Sequence, residues 1–340
     1  GVSYAYDAAG TRMAKRGDAG GDVVYTLGAG DRLASWTGGA YGHDAAGGVT
    51  RIARGADTWD LTWNGQCQLV SVATNGVFAE SYAYDALGRR ASTTNAEGTE
   101  RHVYDENWQV VADLDGSGSV VRAYEWGEGI DQLLAVRIGS RAYTALTDVQ
   151  GTVWGYADEG GFVVARWTYD AWGNVLSEEI AEGAEALRAV RYRFQGRERS
   201  AATGLVNFRM RWYDPATGRW LSKDPIGLSG GLNLYSGFYN NAINFMDAQG
   251  EFATVVEGAI AAAAITIAAA AAAVAASQLA QALSRHGTGC RGERGWTSRP
   301  DGTPNPGKKY KPTPDGGWEY KDQNGKKHKK PAGFDPNRGG

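Results

Sequence analysis

Two aspartates, Asp224 and Asp247, stand 23 positions apart in the run DPIGLSGGLNLYSGFYNNAINFMDAQG. The first opens an Asp-Pro-x-Gly motif and the second an Asp-x-x-Gly motif. Two carboxylates in one site cannot both ionise cheaply, so they share a proton. The ionised member can then activate water as a base, and the protonated one can donate to a scissile carbonyl or a leaving amine. A nearby arginine would tune or orient such a pair. A gap of 23 residues does not arise on one helix face. It needs a loop that returns, and LNLYSGFYNNAINFM, with Gly237 and Asn240-Asn241 in its middle, is long enough to supply one. The competing reading is that both motifs are only turns, because Asp and Gly are ordinary turn formers.

A second set of reactive side chains lies near the C-terminus. Lys308, Lys309, Lys311, Lys321, Lys326, Lys327, Lys329 and Lys330 are interleaved with Tyr310, Trp318, Tyr320 and Phe334. Lysines neutralise phosphates and aromatic rings stack on bases, so the composition suits RNA or single-stranded DNA. A solvated, loosely ordered tail has the same composition. Glu319 and His328 form a candidate acid–base pair for metal-free RNA cleavage at a ribose 2′-hydroxyl. His286 and Cys290 lack the partners of a metal site, so neither metal nor cofactor is expected.

The elements that carry these residues differ along the chain. From Arg285 to Gly340 there are 13 Lys and Arg against 6 Asp and Glu, a net +7; the whole chain carries −3, which leaves −10 on residues 1–284. An acidic body and a basic tail predict parts with different partners. The 49 glycines, 17 tyrosines and 12 tryptophans fit many short strands joined by tight turns. With two cysteines, Cys67 and Cys290, a disulfide framework is excluded, though a single bridge is not. The opening GVSYAYDAAG holds no signal peptide and starts inside a repeat copy, which reads as a fragment of a longer chain.

The body repeats. SYAYDAAGTR, AYGHDAAGGVTR, LTWNGQCQLV, SYAYDALGRR, HVYDENWQVV and RWTYDAWGNVL are clear copies, and the turn-opening residues Asp44, Asn64, Asp85 and Asp105 are spaced 20, 21 and 20 apart. Each unit reads as strand, Asp/Asn-x-x-Gly turn, strand, and such hairpins must stack into a continuous sheet to bury a face. The repeat tyrosines read as cross-strand packing, with a carbohydrate-binding surface as the alternative. Beyond the body, AIAAAAITIAAAAAAVAA (residues 259–276) predicts a helix. Three uses for it stay open: a membrane-active helix, a helix packed inside a cavity, and a helical spacer.

The unit SYAYDALGRR resembles the YD repeat of the Rhs family. The segment from RFQGRERSAATGL to INFMDAQG is similar to the core domain that closes such repeat arrays. The resemblance covers residues 1–250, nearly three quarters of the chain. It implies an all-β spiral shell over 1–179, a plug at 180–251, then an α-helical alanine-rich segment at 252–284 and a small basic toxin region at 285–340. It further implies that Asp224 and Asp247 are a self-cutting pair assisted by Arg211, with 18 residues between the two motifs, and that the cut follows Glu251, before Phe252. Two departures stand out: Ala248 and Glu251 occupy positions where the family has Pro and Leu. The resemblance implies a secreted or surface polymorphic toxin delivered into target cells, with an immunity protein and a secretion apparatus or chaperone as partners. A pore-forming effector acting through 259–276 and a non-toxic adhesive repeat protein are the alternatives.

Overall fold

The computed structural model describes residues 1–17, 21–255, 311–312, 318–321 and 327–330. Two units are distinguished, Gly1–Leu279 and Ala280–Gly340. The alanine-rich 259–276 segment, His286, Cys290, Lys308, Lys309 and Lys326 lie outside the described residues. Among the described residues, no helix is long and apolar enough to cross a membrane.

In the first unit, eighteen strands run from β1 (Ser3–Tyr6) to β18 (Val175–Ile180) as one meander, each antiparallel to the next along the chain. The repeat turns share one device. Asp7, Asn64, Asp85, Asp105, Asp148 and Asp170 each accept the backbone N–H groups two and four residues on through Oδ1. These donors would otherwise be left unpaired where the ladder ends. Asp115 and Asp158 do the same at the opposite edge, out of phase with the 21-residue spacing. A register slip precedes turn after turn, as at Thr62/Trp63, Val103/Tyr104, Glu125/Trp126, Leu146/Thr147 and Thr168/Tyr169. Such bulges sharpen local twist, and repeated along one edge they curl the sheet.

The aromatic residues just before these turns are hydrogen-bond donors. Trp63, Tyr84, Tyr104, Trp126 and Tyr169 donate to the carbonyls of Val49, Leu69, Arg90, Val110 and Val153, at 2.7 to 3.0 Å. Each therefore ties its turn to the preceding one. Other repeat tyrosines, among them Tyr41, Tyr82, Tyr124 and Tyr156, are buried. That is packing, as cross-strand pairing predicts.

Residues 190–251 pack against the turns of the sheet. A small antiparallel sheet of β19 (Glu198–Arg199), β20 (Val206–Phe208), β21 (Arg211–Asp214) and β22 (Arg219–Trp220) is their frame. Phe194, Phe208, Tyr213, Trp220 and Phe238 form its core, with Tyr213–Phe238 ring centroids 5.1 Å apart and Phe208–Trp220 5.2 Å apart. Such aromatic pairs add to their area burial. The sheet's turns hold this plug from many sides. Gly10, Gly47 and Pro215 carbonyls accept from Asn240, Tyr235 and Asn174, and Gln150 donates to the Ala242 carbonyl. The first two strands also meet the last repeat turn: Trp172 Nε1 donates to Tyr4 Oη at 3.0 Å, and the Arg12 guanidinium lies 3.8 Å from the Trp172 ring centre.

A buried polar network ties sheet to plug. On β11 (Gly98–Tyr104), His102 Nδ1 lies 2.8 Å from Oδ1 of Asp113 on β12 (Val110–Leu114). Arg122, Tyr124 and both Nη atoms of Arg191 also donate to Asp113. Burial, aided by Arg191, pushes the His102 imidazole down to about 3. Arg191 and His102 hold Asp113 well below the usual aspartate value, against the cost of burial.

In the second unit, β25 (Lys311–Pro312), β26 (Trp318–Lys321) and β27 (Lys327–Lys330) form an antiparallel sheet.

Candidate active site

Both motif aspartates open turns, and the turn chemistry occupies only half of each carboxylate. Asp224 Oδ1 accepts from Ile226 N at 3.0 Å. Asp247 Oδ1 accepts from the N–H groups of Gln249, Gly250 and Glu251 at 3.2, 2.7 and 3.1 Å. The second oxygens turn to the same guanidinium. Arg211 Nη1 lies 2.9 Å from Asp224 Oδ2, and Nη2 lies 3.5 Å from Asp247 Oδ2. Arg211 Nε donates to the Gly250 carbonyl. Arg211 is 3% exposed and Asp247 2%, while Asp224 is only partly buried. The Trp220 ring, 4.2 Å from the guanidinium carbon, forms one wall. The aspartates and the arginine singled out in the sequence are therefore brought together.

The hairpin between β20 and β21 explains why. Three consecutive residues of it grip three consecutive carbonyls of the Asp247 turn. Arg209 Nη1 donates to Ala248 O at 2.8 Å, Met210 N to Gln249 O at 3.1 Å, and Arg211 Nε to Gly250 O. Close approach dictates glycine at 250. Its φ is +73°, and a Cβ there would lie 2.5 Å from the Phe208 carbonyl oxygen. Beyond the turn, β23 (Phe245–Met246) pairs with β24 (Thr254–Val255), so Glu251 and Phe252 lie in a short hairpin anchored on both sides. Phe252 is exposed, its ring 6.4 Å from that of Tyr239.

Burial pushes the Asp224 carboxyl above its ordinary value against the pull of Arg211, and the Asp247 charge adds to the rise. Burial lowers Arg211, while Asp224 and Asp247 hold its proton on. The arrangement thus raises the Asp224 carboxyl and keeps a cation between the two acids.

Sequence reasoning missed four supporting residues, Gln195, Arg209, Asp131 and Arg197. Gln195 accepts from Asp247 N through Oε1 at 3.3 Å and donates from Nε2 to Phe245 O at 3.1 Å. Arg209 Nη2 donates to Asp131 Oδ1 at 2.9 Å, and Arg197 pairs with the same carboxylate. Gln195 and Arg209 sit inside the segment that carries the family likeness, but contacts spanning 39 to 78 positions leave no local pattern.

The C-terminal pair is different. In the β26–β27 register Glu319 faces Lys329 and Tyr320 faces His328, so Glu319 and His328 project to opposite sides of the ladder. Glu319 is instead 3.0 Å from Lys327 Nζ. The structure does not bring these two residues together as an acid–base pair, because adjacent register positions alternate faces. Lys327, Lys329 and Lys330 share β27.

The model of the teneurin YD-shell family matches residues 2–234. A 206-residue stretch is 30% identical to the tRNA3(Ser)-specific nuclease WapA of Bacillus spizizenii, covering 58% of this chain and 9% of that protein. A 255-residue stretch is 32% identical to the double-stranded DNA deaminase toxin A of Burkholderia cenocepacia, covering 65% of this chain and 17% of that one. Among solved structures, the TcdB2-TccC3 crystal structure matches with a TM-score of 0.45 at 20% identity, over 73% of this chain and 17% of that chain. The chain spans less than a fifth of the length of each of these proteins. It belongs to the teneurin YD-shell family, and its relatives support the Rhs/YD-repeat polymorphic toxin family.

Proposed function

We propose that the plug cuts its own chain after Glu251 and thereby frees the C-terminal region as a toxin. The observation that carries this reading is the buried Arg211, which binds Asp224, Asp247 and the carbonyl of Gly250 at once. Asp247 is the base that takes a proton from water. The water oxygen bonds to the Glu251 carbonyl carbon, and Asp224 gives its proton to the Phe252 nitrogen as the C–N bond breaks. One water is consumed, and the products are a Glu251 carboxylate and a Phe252 amine. Ala248 and Glu251 leave this geometry available, since neither position supplies the carboxylates or the guanidinium.

We further propose that the released region attacks nucleic acid in a target cell and that an immunity protein restrains it in the producing cell. Its lysine and aromatic composition supports this, as do relatives named for tRNA cleavage and DNA deamination. Secretion through a dedicated apparatus belongs to the same proposal.

Intact-mass measurement on the purified chain tests the cut. Two fragments are expected, the second beginning FATVV, and Asp224→Asn or Asp247→Asn should each leave a single chain. A fragment starting at Glu251 would move the scissile bond to the Gly250–Glu251 peptide, which the same groups grip. An uncut wild-type chain sinks the proposal. Producing residues 252–340 in bacteria tests the toxin. RNA or DNA damage with intact membrane potential supports it; depolarisation with intact nucleic acid points to the membrane-active alternative, and unimpaired growth overturns the toxin reading.

A further inference from the structure

The two motif turns of this chain differ at one position. Asp224 is followed by Pro225 and Asp247 by Ala248, each with Gly three residues after the aspartate. A proline ring fixes φ near −65° and so holds a turn without help. Among the described residues, no side chain donates to the Pro225 carbonyl. The Ala248 carbonyl, in contrast, is held by Arg209 at 2.8 Å. Arg209 is itself braced, because its other terminal nitrogen lies 2.9 Å from Asp131 Oδ1. Asp131 is buried, sits in the turn between two shell strands, and is fixed from a second direction by Arg197.

Arg209 also has a constrained backbone, with φ of +62°, an uncommon conformation for a side chain of this size. The hydrogen bond from Arg209 N to Asn207 Oδ1 supports it. That backbone lets Arg209, Met210 and Arg211 address the carbonyls of residues 248, 249 and 250 in succession.

We propose that Arg209, braced by Asp131, is a positioning residue for self-cleavage: it holds the Ala248 turn by hydrogen bonds where Pro225 holds the companion turn by its ring. The inference rests on the self-cleavage reading. Without the Arg209 grip, the Asp247 turn keeps its own three N–H bonds and the Met210 and Arg211 contacts, but its first carbonyl is released and the turn can shift against Arg211. A displacement of about an ångström at a reacting centre is enough to slow a step about a hundredfold.

The substitution pattern that tests this is compensatory. Ala248 N–H makes no hydrogen bond among the described residues, so proline there would sacrifice none. In the full chain, Arg209→Met should slow appearance of the cut fragment about a hundredfold. Adding Ala248→Pro to Arg209→Met should restore most of the rate. Arg209→Lys keeps the charge but cannot reach both Asp131 and the carbonyl, so it should fall between. Rates are read on denaturing gels, and thermal unfolding of every variant is recorded alongside. Should Arg209→Met fail to fold, the comparison is made with Arg209→Lys, with and without Ala248→Pro. Unchanged cutting in the folded Arg209 variant overturns the inference and spares the self-cleavage reading. So does a slow variant that Ala248→Pro does not rescue. An uncut wild type overturns both.

Discussion

Asp247 divides its oxygens between two tasks. Oδ1 closes a turn with three backbone donors, and Oδ2 meets Arg211. Turn former and candidate base are therefore not rival descriptions of the residue. The sequence could show the first, since Asp-x-x-Gly is local, and could show the second only through the family likeness. The partition has a consequence for pH. Burial raises the Asp224 carboxyl above its ordinary value of 3.8, and on the self-cleavage proposal it acts as acid only while protonated. Cutting should be faster on the acid side of that raised value and decline as pH climbs past it. Single-turnover rates across about pH 4 to 9 check this, and a rate that climbs throughout that range would count against Asp224 as the acid.

At the scale of elements, the region from β10 (Arg90–Asn95) to β13 (Val120–Trp126) shows what residue-level patterns leave out. The strands and their turns were legible: Asp105 and Tyr104 fall where the period puts them. The network around Asp113 was not. Its partners His102, Arg122 and Arg191 lie on separate strands and in the plug, and Arg191 is 78 positions away. The turns at Asp115 and Asp158 escaped notice for a related reason, as they sit at the other edge and break the phase of the repeat. The network predicts acid sensitivity. A histidine held down to about 3 from 6.5 contributes stability that is complete above 6.5 and is lost as pH falls toward 3. Asp113, also held low, loses its contribution on protonation in acid below 3.8. The histidine alone amounts to about 4 kcal/mol by pH 3. Urea midpoints measured against pH should fall across this window. His102→Gln should be weaker at neutral pH yet show a flatter profile between 6.5 and about 4. Equal slopes in both proteins would remove His102 as the cause.

For the first unit as a whole, the sheet closes on its plug where Tyr4, Arg12 and Trp172 join the first strands to the last turn. All-β stacking of repeats followed from composition and period. That the ends of the meander meet depended on the plug, whose contacts with the turns are all long-range. Trp172 is buried in the plug's aromatic core and also forms the seam. Trp172→Ala should cost about 3–5 kcal/mol and open the β1 end to limited proteolysis, read by denaturant unfolding and by mass mapping of early cuts. Early cuts confined to other regions would show that the seam is held elsewhere.

The bond from Arg209 to Asp131 joins the plug to a strand connection made some eighty residues earlier in the chain. A ribosome completes the shell strands before it reaches the plug, and the Asp247 turn comes at the end of the plug. On the self-cleavage reading, the scissors can be set only against a finished wall. A chain miswound near Asp131 lacks the brace and should cut about a hundredfold more slowly. On that reading, a cut after Glu251 reports that the strand connection carrying Asp131 is already in place.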